Sequence, residues 1–325
     1  MTALHLQHVS SPLRKSFAIS RGSKTSAETI RVTLERDGKR GRGECVPYAR
    51  YDETVESVMG QIQSISASLS KGMDRAELQN ALPPGAARCA VDCAFWDLEA
   101  KLSGTPVWQL AGLPEPTSLP TAVTISLAAP EDMATAARDA ESTLLKLKLG
   151  GREDLDRVGA VHEARPDAKL ILDGNEGVDA GLFPEIAKAA AQLGVTLIEQ
   201  PFPAGDDSYL LKRPADVAIC ADESMHVATD IQDLARLYDV VNIKLDKAGG
   251  FTEALAATRE AKAAGMGVMI GCMVAGSLSM APAVLLGTLA DAVDLDGPLW
   301  LAEDIELGLV YEKGMVSPPD AALWG

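Results

Sequence analysis

In the second half of this 325-residue chain, short apolar runs repeatedly carry or end in a charged side chain. The run at 144–149 holds Lys146 and Lys148 among leucines; later runs end in Asp173, Glu199 and Asp222, and the next in Lys244. Successive members lie about one strand-plus-helix unit apart. If each run is a parallel strand, three carboxylates emerge side by side at one end of a sheet, with lysines on the strands to either side. Three inward carboxylates repel one another and call for a cation. An oxygen-only donor set suits a hard ion, which favours Mg²⁺ over zinc. A single acid at a strand end is as readily a helix cap; three at this spacing are not.

Lys146 and Lys148 are two apart and share one face of their run, while leucines fill the other. A like charge two residues away and a nearby metal both favour the neutral amine that a general base needs. Candidate bases from two strands, facing each other across a metal, suit taking a proton from one face of a carbon and returning it on the other. The chemistry is 1,1-proton transfer α to a carboxylate, the metal holding that carboxylate and stabilising the enediolate.

The elements that must position these groups fall into two textures. Apolar β-type runs at 121–126, 144–149, 169–172, 195–198, 217–221, 240–245, 267–271 and 292–295 alternate with helical patterns at 130–142, 152–165, 179–193, 228–237, 252–264 and 277–289. This predicts a parallel (β/α) barrel with its site at the carboxyl mouth of the strands. A doubly wound sheet is second choice, since no GxGxxG or Walker loop is present. Before the barrel, a strand at 29–36, the hairpin signal Asp37-Gly38 and a return strand at 41–47 precede helices at 54–69, 74–82 and 86–102. Asp74 is placed to cap the second helix and Gly104 to end the third. Cys89, Cys93 and Trp96 share one face of that third helix, where the cysteines read as core. The whole first part reads as an α+β unit, and the tail from Gly308, too short for a domain, is expected to pack back on it.

Composition narrows the partners. A net charge of −16 argues against nucleic acid and against an anionic membrane surface. No stretch approaches the roughly 18 to 20 apolar residues of a membrane span, and residues 1–20 lack the apolar core of a signal peptide. Five cysteines without a Cys-x-x-Cys pair fit a reduced, cytoplasmic protein. Four scattered histidines with no HExxH argue against a His-based zinc site.

Five segments together resemble a known family: Leu145-Lys146-Leu147-Lys148, Leu172-Asp173-Gly174-Asn175-Glu176, Ile198-Glu199-Gln200-Pro201, Cys220-Ala221-Asp222-Glu223-Ser224 and Asn242-Ile243-Lys244-Leu245-Asp246-Lys247. The sequence resembles, over essentially its whole length, the muconate-lactonising subgroup of the enolase superfamily, and within it the dipeptide epimerases of the L-Ala-D/L-Glu type. The resemblance implies an α/β protein: an α+β capping domain over 1–115, joined by 308–325, and a modified (β/α)7β barrel over 116–307. It implies Asp173, Glu199 and Asp222 as ligands of one Mg²⁺ per subunit, Lys148 and Lys244 as the acid/base pair, and Lys146 as a hold on the substrate carboxylate. A mobile capping loop near 20–26 would close over the mouth.

The same resemblance bears on the substrate. Asp294 and Asp296, two apart at the end of the last strand, match a clamp for a dipeptide's free α-ammonium; a cation leaving water wants paired carboxylates. Lys24 stands where relatives that prefer an acidic second residue carry arginine, and would pair with that acid. Thr124 and Cys272 correspond to substrate-contacting places. Some subgroup members carry a glutamate where this chain has Ala275, which weakens the likeness to cycloisomerases more than to dipeptide epimerases. The expected substrate is a small dipeptide such as L-Ala-L-Glu or L-Ala-D-Glu, the latter a cell-wall peptide fragment. The rivals are an N-acylamino acid racemase or cycloisomerase of the same superfamily and, more remotely, a non-catalytic barrel binding metal and peptide. A homo-oligomer is the family habit.

Overall fold

The computed structural model describes residues 1–212 and 216–325. The chain opens with three antiparallel strands, β1 (Ala3–Ile19), β2 (Gly22–Arg36) and β3 (Lys39–Cys45), in that spatial order. Asp37 and Gly38 both take positive φ, as a two-residue hairpin turn requires. β1 and the first part of β2 lie outside the strands read from the sequence. The reason is physical: β1 is an edge strand with no fully buried residue, and its register shifts between Pro12 and Phe17. Its half-buried positions, Leu4, Leu6, Val9, Ser11 and Leu13, change phase after Leu6, so no sustained apolar alternation runs along it. The supposed loop at 20–26 is the tip of this long hairpin, with Ile19 paired to Gly22 and Phe17 to Lys24.

Four helices follow. The pattern at 54–69 is split into α1 (Val55–Ser64) and α2 (Ser66–Ser70). A serine sits at the break: Ser64 Oγ donates to the Gln61 carbonyl, competing with the helix ladder. α3 (Arg75–Ala81) begins with Asp74 in a reciprocal capping box with Glu77. α4 (Ala86–Ser103) is buried along most of its length, with Cys89 and Cys93 in the core, and ends at a left-handed Gly104. β3 lies directly on α4. A Cβ at Gly41 or Gly43 would stand 2.2 or 2.1 Å from the carbonyl oxygens of Ala94 and Ala90, so only glycine permits this approach.

After α5 (Val107–Leu110) and β4 (Leu119–Pro120) the barrel begins. Its strands are β5 (Val123–Ile125), β6 (Leu144–Lys148), β7 (Lys169–Asp173), β8 (Leu197–Glu199), β9 (Ala218–Ala221), β10 (Val240–Ile243), β11 (Gly267–Gly271) and β12 (Ala292–Asp294). They lie in sequence order, each parallel to the next. The Ala122 amide donates to the Val293 carbonyl at 2.8 Å and draws the two ends together. The intervening helices are α6 (Pro130–Asp139), α7 (Asp154–Ala164), α8 (Phe183–Gln192), α9 (Ile231–Leu234), α10 (Leu245–Ala248), α11 (Phe251–Ala263) and α12 (Ser277–Gly287). The helix expected at 228–237 shrinks to a short 3-10 turn and α9.

Alternation sorts every barrel residue. Outward-facing Leu145, Leu147, Leu172, Ile198, Ile219, Val241, Ile243 and Ile270 join the large core under the helices. Inward-facing Ala122, Ile171, Leu197, Cys220 and Met269 form a separate apolar floor inside the barrel. The chain's last part returns twice. β13 (Tyr311–Glu312) and β14 (Met315–Val316) pair with β4. Trp324 Nε1 then donates to the Cys93 carbonyl of α4 at 3.1 Å, and the Gly325 amide to Asp97 at 2.9 Å. Among the described residues, no helix is long and apolar enough to cross a membrane.

Candidate active site

The alternation that builds the floor also builds the site. Lys148 pairs with Asp173, Asp173 with Glu199 and Glu199 with Cys220, so these residues point into the barrel together. Asp222 and Lys244 continue the same parity beyond their strands, as does Asp296 beyond Asp294. Lys146, Lys148, Asp173, Glu199, Asp222, Lys244, Asp294 and Asp296 are all buried.

Their ammonium and carboxylate groups interleave. Lys146 Nζ lies 3.0 Å from Asp173 Oδ2, 2.8 Å from Glu199 Oε2 and 2.8 Å from Asp294 Oδ2. Lys148 Nζ donates to Asp173 Oδ2 at 2.6 Å and Lys244 Nζ to Asp222 Oδ2 at 2.7 Å. The other oxygen of each acid is held by the framework. Asp173 Oδ1 accepts from the Asn175 amide at 2.9 Å, Glu199 Oε1 from Asn242 Nδ2 at 2.8 Å, and Asp222 Oδ1 from Lys247 Nζ at 2.6 Å. Lys247 also donates to the Asp222 carbonyl and to that of Asn242 at 3.2 Å. Gln200, at the positive φ of 31°, accepts from the Asp222 and Ser224 amides and donates to Tyr238 Oη. Asn175, Gln200, Asn242 and Lys247 were given no role in the sequence reading. Only Asn242 carries a signal there, standing two before Lys244 on one face.

Three oxygens therefore meet no framework donor but only the site lysines: Asp173 Oδ2, Glu199 Oε2 and Asp222 Oδ2. Among the described residues, no three acids, histidines or cysteines stand arranged around a single metal position; ammonium groups lie between the acids instead. The donor set nonetheless fits a hard cation. It is all oxygen, Glu199 Oε2 is buried without a hydrogen bond, and burial with the nearby Asp173 and Asp222 pushes the Glu199 carboxyl up to about 8. Such crowding is what a divalent ion relieves.

The lysines correct one expectation. Burial works to lower Lys146 and Lys244, but the adjoining acids outweigh it: Asp173, Asp294 and Glu199 at Lys146, and Asp222 above all at Lys244. Both are held well above the usual lysine range as ammonium groups; for Lys146 this replaces the neutral amine expected from the like charge of Lys148. Lys244 becomes a base only after leaving Asp222.

The remaining predicted residues surround this centre. Asp296 Oδ2 accepts from the Thr124 amide at 2.7 Å and from Trp300 Nε1 at 3.2 Å. Burial, then Asp294, raises its carboxyl to about 6. Asp294 Oδ1 is buried and accepts no hydrogen bond. Thr124, the strand partner of Lys146, thus holds Asp296 through its backbone amide. Lys24 and Cys272 line one cavity of about 60 Å³ together with Lys148, Lys244, Asp222 and Glu223. It adjoins an outer chamber of about 450 Å³ beneath the β1–β2 hairpin tip, which shares Phe17, Ile19, Arg21, Lys24 and Tyr48 with it. Lys24 has no acid partner among the described residues and stands 5.8 Å from the Phe17 ring. Burial, with Lys148 and Lys244 adding to it and Cys272 opposing, brings Lys24 down to about 8.

Residues 1–112 match the mandelate racemase / muconate lactonizing enzyme N-terminal domain, and residues 130–322 match the enolase C-terminal domain-like family. The chain belongs to the enolase superfamily. Among the superfamily's curated members it is 44% identical to an L-Ala-D/L-Glu epimerase of Escherichia coli, spanning 93% of this chain and 95% of that protein. It is 42% identical to an N-acetyl-D-glutamate racemase of Pseudoalteromonas, spanning 88% and 91%. Among solved superfamily structures, an enolase family member of Agrobacterium tumefaciens with homology to dipeptide epimerases, with bound sodium and L-Ala-L-Glu, superimposes with a TM-score of 0.97. It shares 46% identity over 100% of both chains.

Proposed function

We propose that this chain is a Mg²⁺-dependent dipeptide epimerase that inverts the α-carbon of the second residue of L-Ala-L-Glu or L-Ala-D-Glu, working in the cytoplasm. The observation that carries the proposal is the pairing of Lys148 with Asp173 and Lys244 with Asp222 on either side of Glu199, both lysines lining one small cavity. Three solved dipeptide epimerases similar to this chain are complexed with Mg and a dipeptide. Asp173, Glu199 and Asp222 would hold Mg²⁺, and when bound it supplies positive charge to the carboxylate beside the reacting carbon.

The protein's own groups do the rest. The substrate's Cα lies between Lys148 and Lys244. One lysine, freed from its aspartate and having given an ammonium proton to solvent, takes the α-proton as the neutral amine, and the other, as ammonium, delivers a proton to the opposite face. Lys146 stays charged among its acids and neutralises the substrate carboxylate. Asp294 Oδ1, buried without a donor, with Asp296 beside it, receives the peptide's α-ammonium. Lys24, free of acid partners among the described residues, meets the side-chain carboxylate of the second residue. The capping unit, residues 1–115 with 308–325, brings that lysine over the barrel of 116–307.

Racemisation of N-acyl glutamate is a second reading, and the Pseudoalteromonas relative is the observation that favours it. Both reactions invert an acidic residue's α-carbon; they differ at the nitrogen, where only the dipeptide brings a cation to Asp294 and Asp296. Mass-detected exchange in D₂O with Mg²⁺, over L-Ala-L-Xaa dipeptides and N-acetyl or N-succinyl amino acids, separates them. Exchange strongest with Ala-Glu supports the epimerase. Exchange restricted to N-acyl substrates overturns the ammonium clamp and leaves the two lysines standing.

A further inference from the structure

One guanidinium joins the capping hairpin to two of the loops that carry the acids. Arg21, at the tip between β1 and β2, donates from Nη1 to the Asn175 carbonyl at 2.7 Å and to Glu176 Oε2 at 3.0 Å. Its Nη2 donates to Glu223 Oε1 at 2.6 Å. Asn175 lies two residues after Asp173, and its amide holds Asp173 Oδ1. Glu223 directly follows Asp222 and is buried. The same charged group thus reaches the backbone that orients one acid and the neighbour of another.

The loop it grips is strained. Asn175 and Glu176 take φ of 43° and 66°, consecutive left-handed residues with side chains. Each such conformation costs about 1–3 kcal/mol and persists only where its surroundings fix it. The barrel fixes it through the Glu176 amide on the Gln200 carbonyl and the Ala204 amide on Glu176, both at 2.9 Å, and the capping part adds Arg21 and Ser20 on the Asn175 carbonyl and Arg50 on Glu176 at 2.8 and 2.7 Å. The hairpin tip also sits so close that a Cβ at Gly177 would be 3.0 Å from Ser20.

We propose that Arg21 is a positioning residue of the reaction: by bridging Asn175 and Glu223 it sets the spacing of Asp173 and Asp222 and couples seating of the hairpin to metal binding. This rests on the reading of the three acids as Mg²⁺ ligands. The seated tip in turn places Phe17 and Lys24 against the cavity that holds Lys148 and Lys244. Lysine cannot replace Arg21, because one ammonium does not span both partners as a planar fork does.

The test is Mg²⁺ titration by calorimetry of Arg21→Met and Arg21→Lys full-length protein, without substrate, beside thermal melting. Arg21→Met is expected to weaken Mg²⁺ binding about 10- to 100-fold, the usual cost of removing an outer-shell partner of a metal site. Arg21→Lys recovers only part of it, and kcat falls along with the rise in KM. Arg50→Met, which leaves the Asn175 and Glu223 contacts intact, is expected to change Mg²⁺ binding less than threefold. A lower melting temperature with unchanged Mg²⁺ affinity in Arg21→Met would make the bridge merely structural and overturn the proposal. Should Arg21→Met not fold, Arg21→Lys with wild-type Mg²⁺ affinity does the same. The titration needs no turnover: a wild-type enzyme that binds Mg²⁺ but ignores dipeptides refutes the epimerase reading and leaves the bridge testable.

Discussion

The inside of the barrel has two ends built from the same strands. At the floor, Ala122, Ile171, Leu197, Cys220 and Met269 pack as an apolar layer. Two residues further along, the same inward rows become Thr124, Asp173, Glu199, Asp222 and Gly271, and the lysines and aspartates of the mouth gather there. Floor side chains gain free energy simply by leaving water. Mouth side chains lose it unless each charge finds a partner, and here Asp173, Glu199 and Asp222 each divide their oxygens between a framework donor and a site lysine. Stability and chemistry are thus separated by two residues along one strand face.

Breaking the mouth has the largest effect on activity. Lys148→Ala and Lys244→Ala are each expected to lower epimerisation of L-Ala-L-Glu by about 10²- to 10⁴-fold, the range for a lost acid/base group, with the far-ultraviolet spectrum unchanged. Polarimetry reads the loss. Breaking the floor acts on folding instead. Ile171→Ala removes a side chain 1% exposed, and chemical denaturation should show about 2–5 kcal/mol less stability while Mg²⁺ affinity holds.

A smaller effect probes the division of labour within the mouth. Asp294→Asn also disturbs Lys146, so its effect is read as a ratio. Loss of kcat/KM for Ala-Glu should exceed that for N-acetyl-glutamate by about tenfold or more, the worth of a hydrogen bond to a charged group. Equal losses would show that the aspartates serve only the lysine. The smallest effect concerns the hairpin. Lys24 is lowered to about 8, so its cation is present below that pH and lost above it. The ratio of kcat/KM for Ala-Glu over Ala-Met should fall by up to about tenfold as pH rises through 8. In Lys24→Met the ratio should be flat.

The floor–mouth contrast also explains what the sequence disclosed. Barrel strands are buried on both faces, so Leu144 to Lys148 or Gly267 to Gly271 read as compact runs, and an acid ending such a run stands out. The hairpin offers neither signal: β1 is fully buried on neither face, its half-buried positions change phase after Leu6, and Pro12 interrupts it. Arg21, Arg50 and Glu176 meet across more than a hundred residues of chain, a distance over which spacing carries no information. The framework donors Asn242 and Lys247 were hidden for another reason. Each sits beside a residue with a more conspicuous role, and only the contacts to Glu199 and Asp222 give them one. The charge state of Lys146 differs from the expectation because the sequence shows only a second lysine two residues away, whereas in space Asp173, Glu199 and Asp294 surround it.

The central claim is that Lys148 and Lys244 address opposite faces of one carbon. Its most direct test is α-proton exchange in D₂O with Mg²⁺, using Lys148→Ala and Lys244→Ala on L-Ala-L-Glu and L-Ala-D-Glu separately. The account predicts a crossed pattern: neither variant epimerises, and each still exchanges a different enantiomer. Exchange of the same enantiomer by both variants, or continued epimerisation by either, would contradict it.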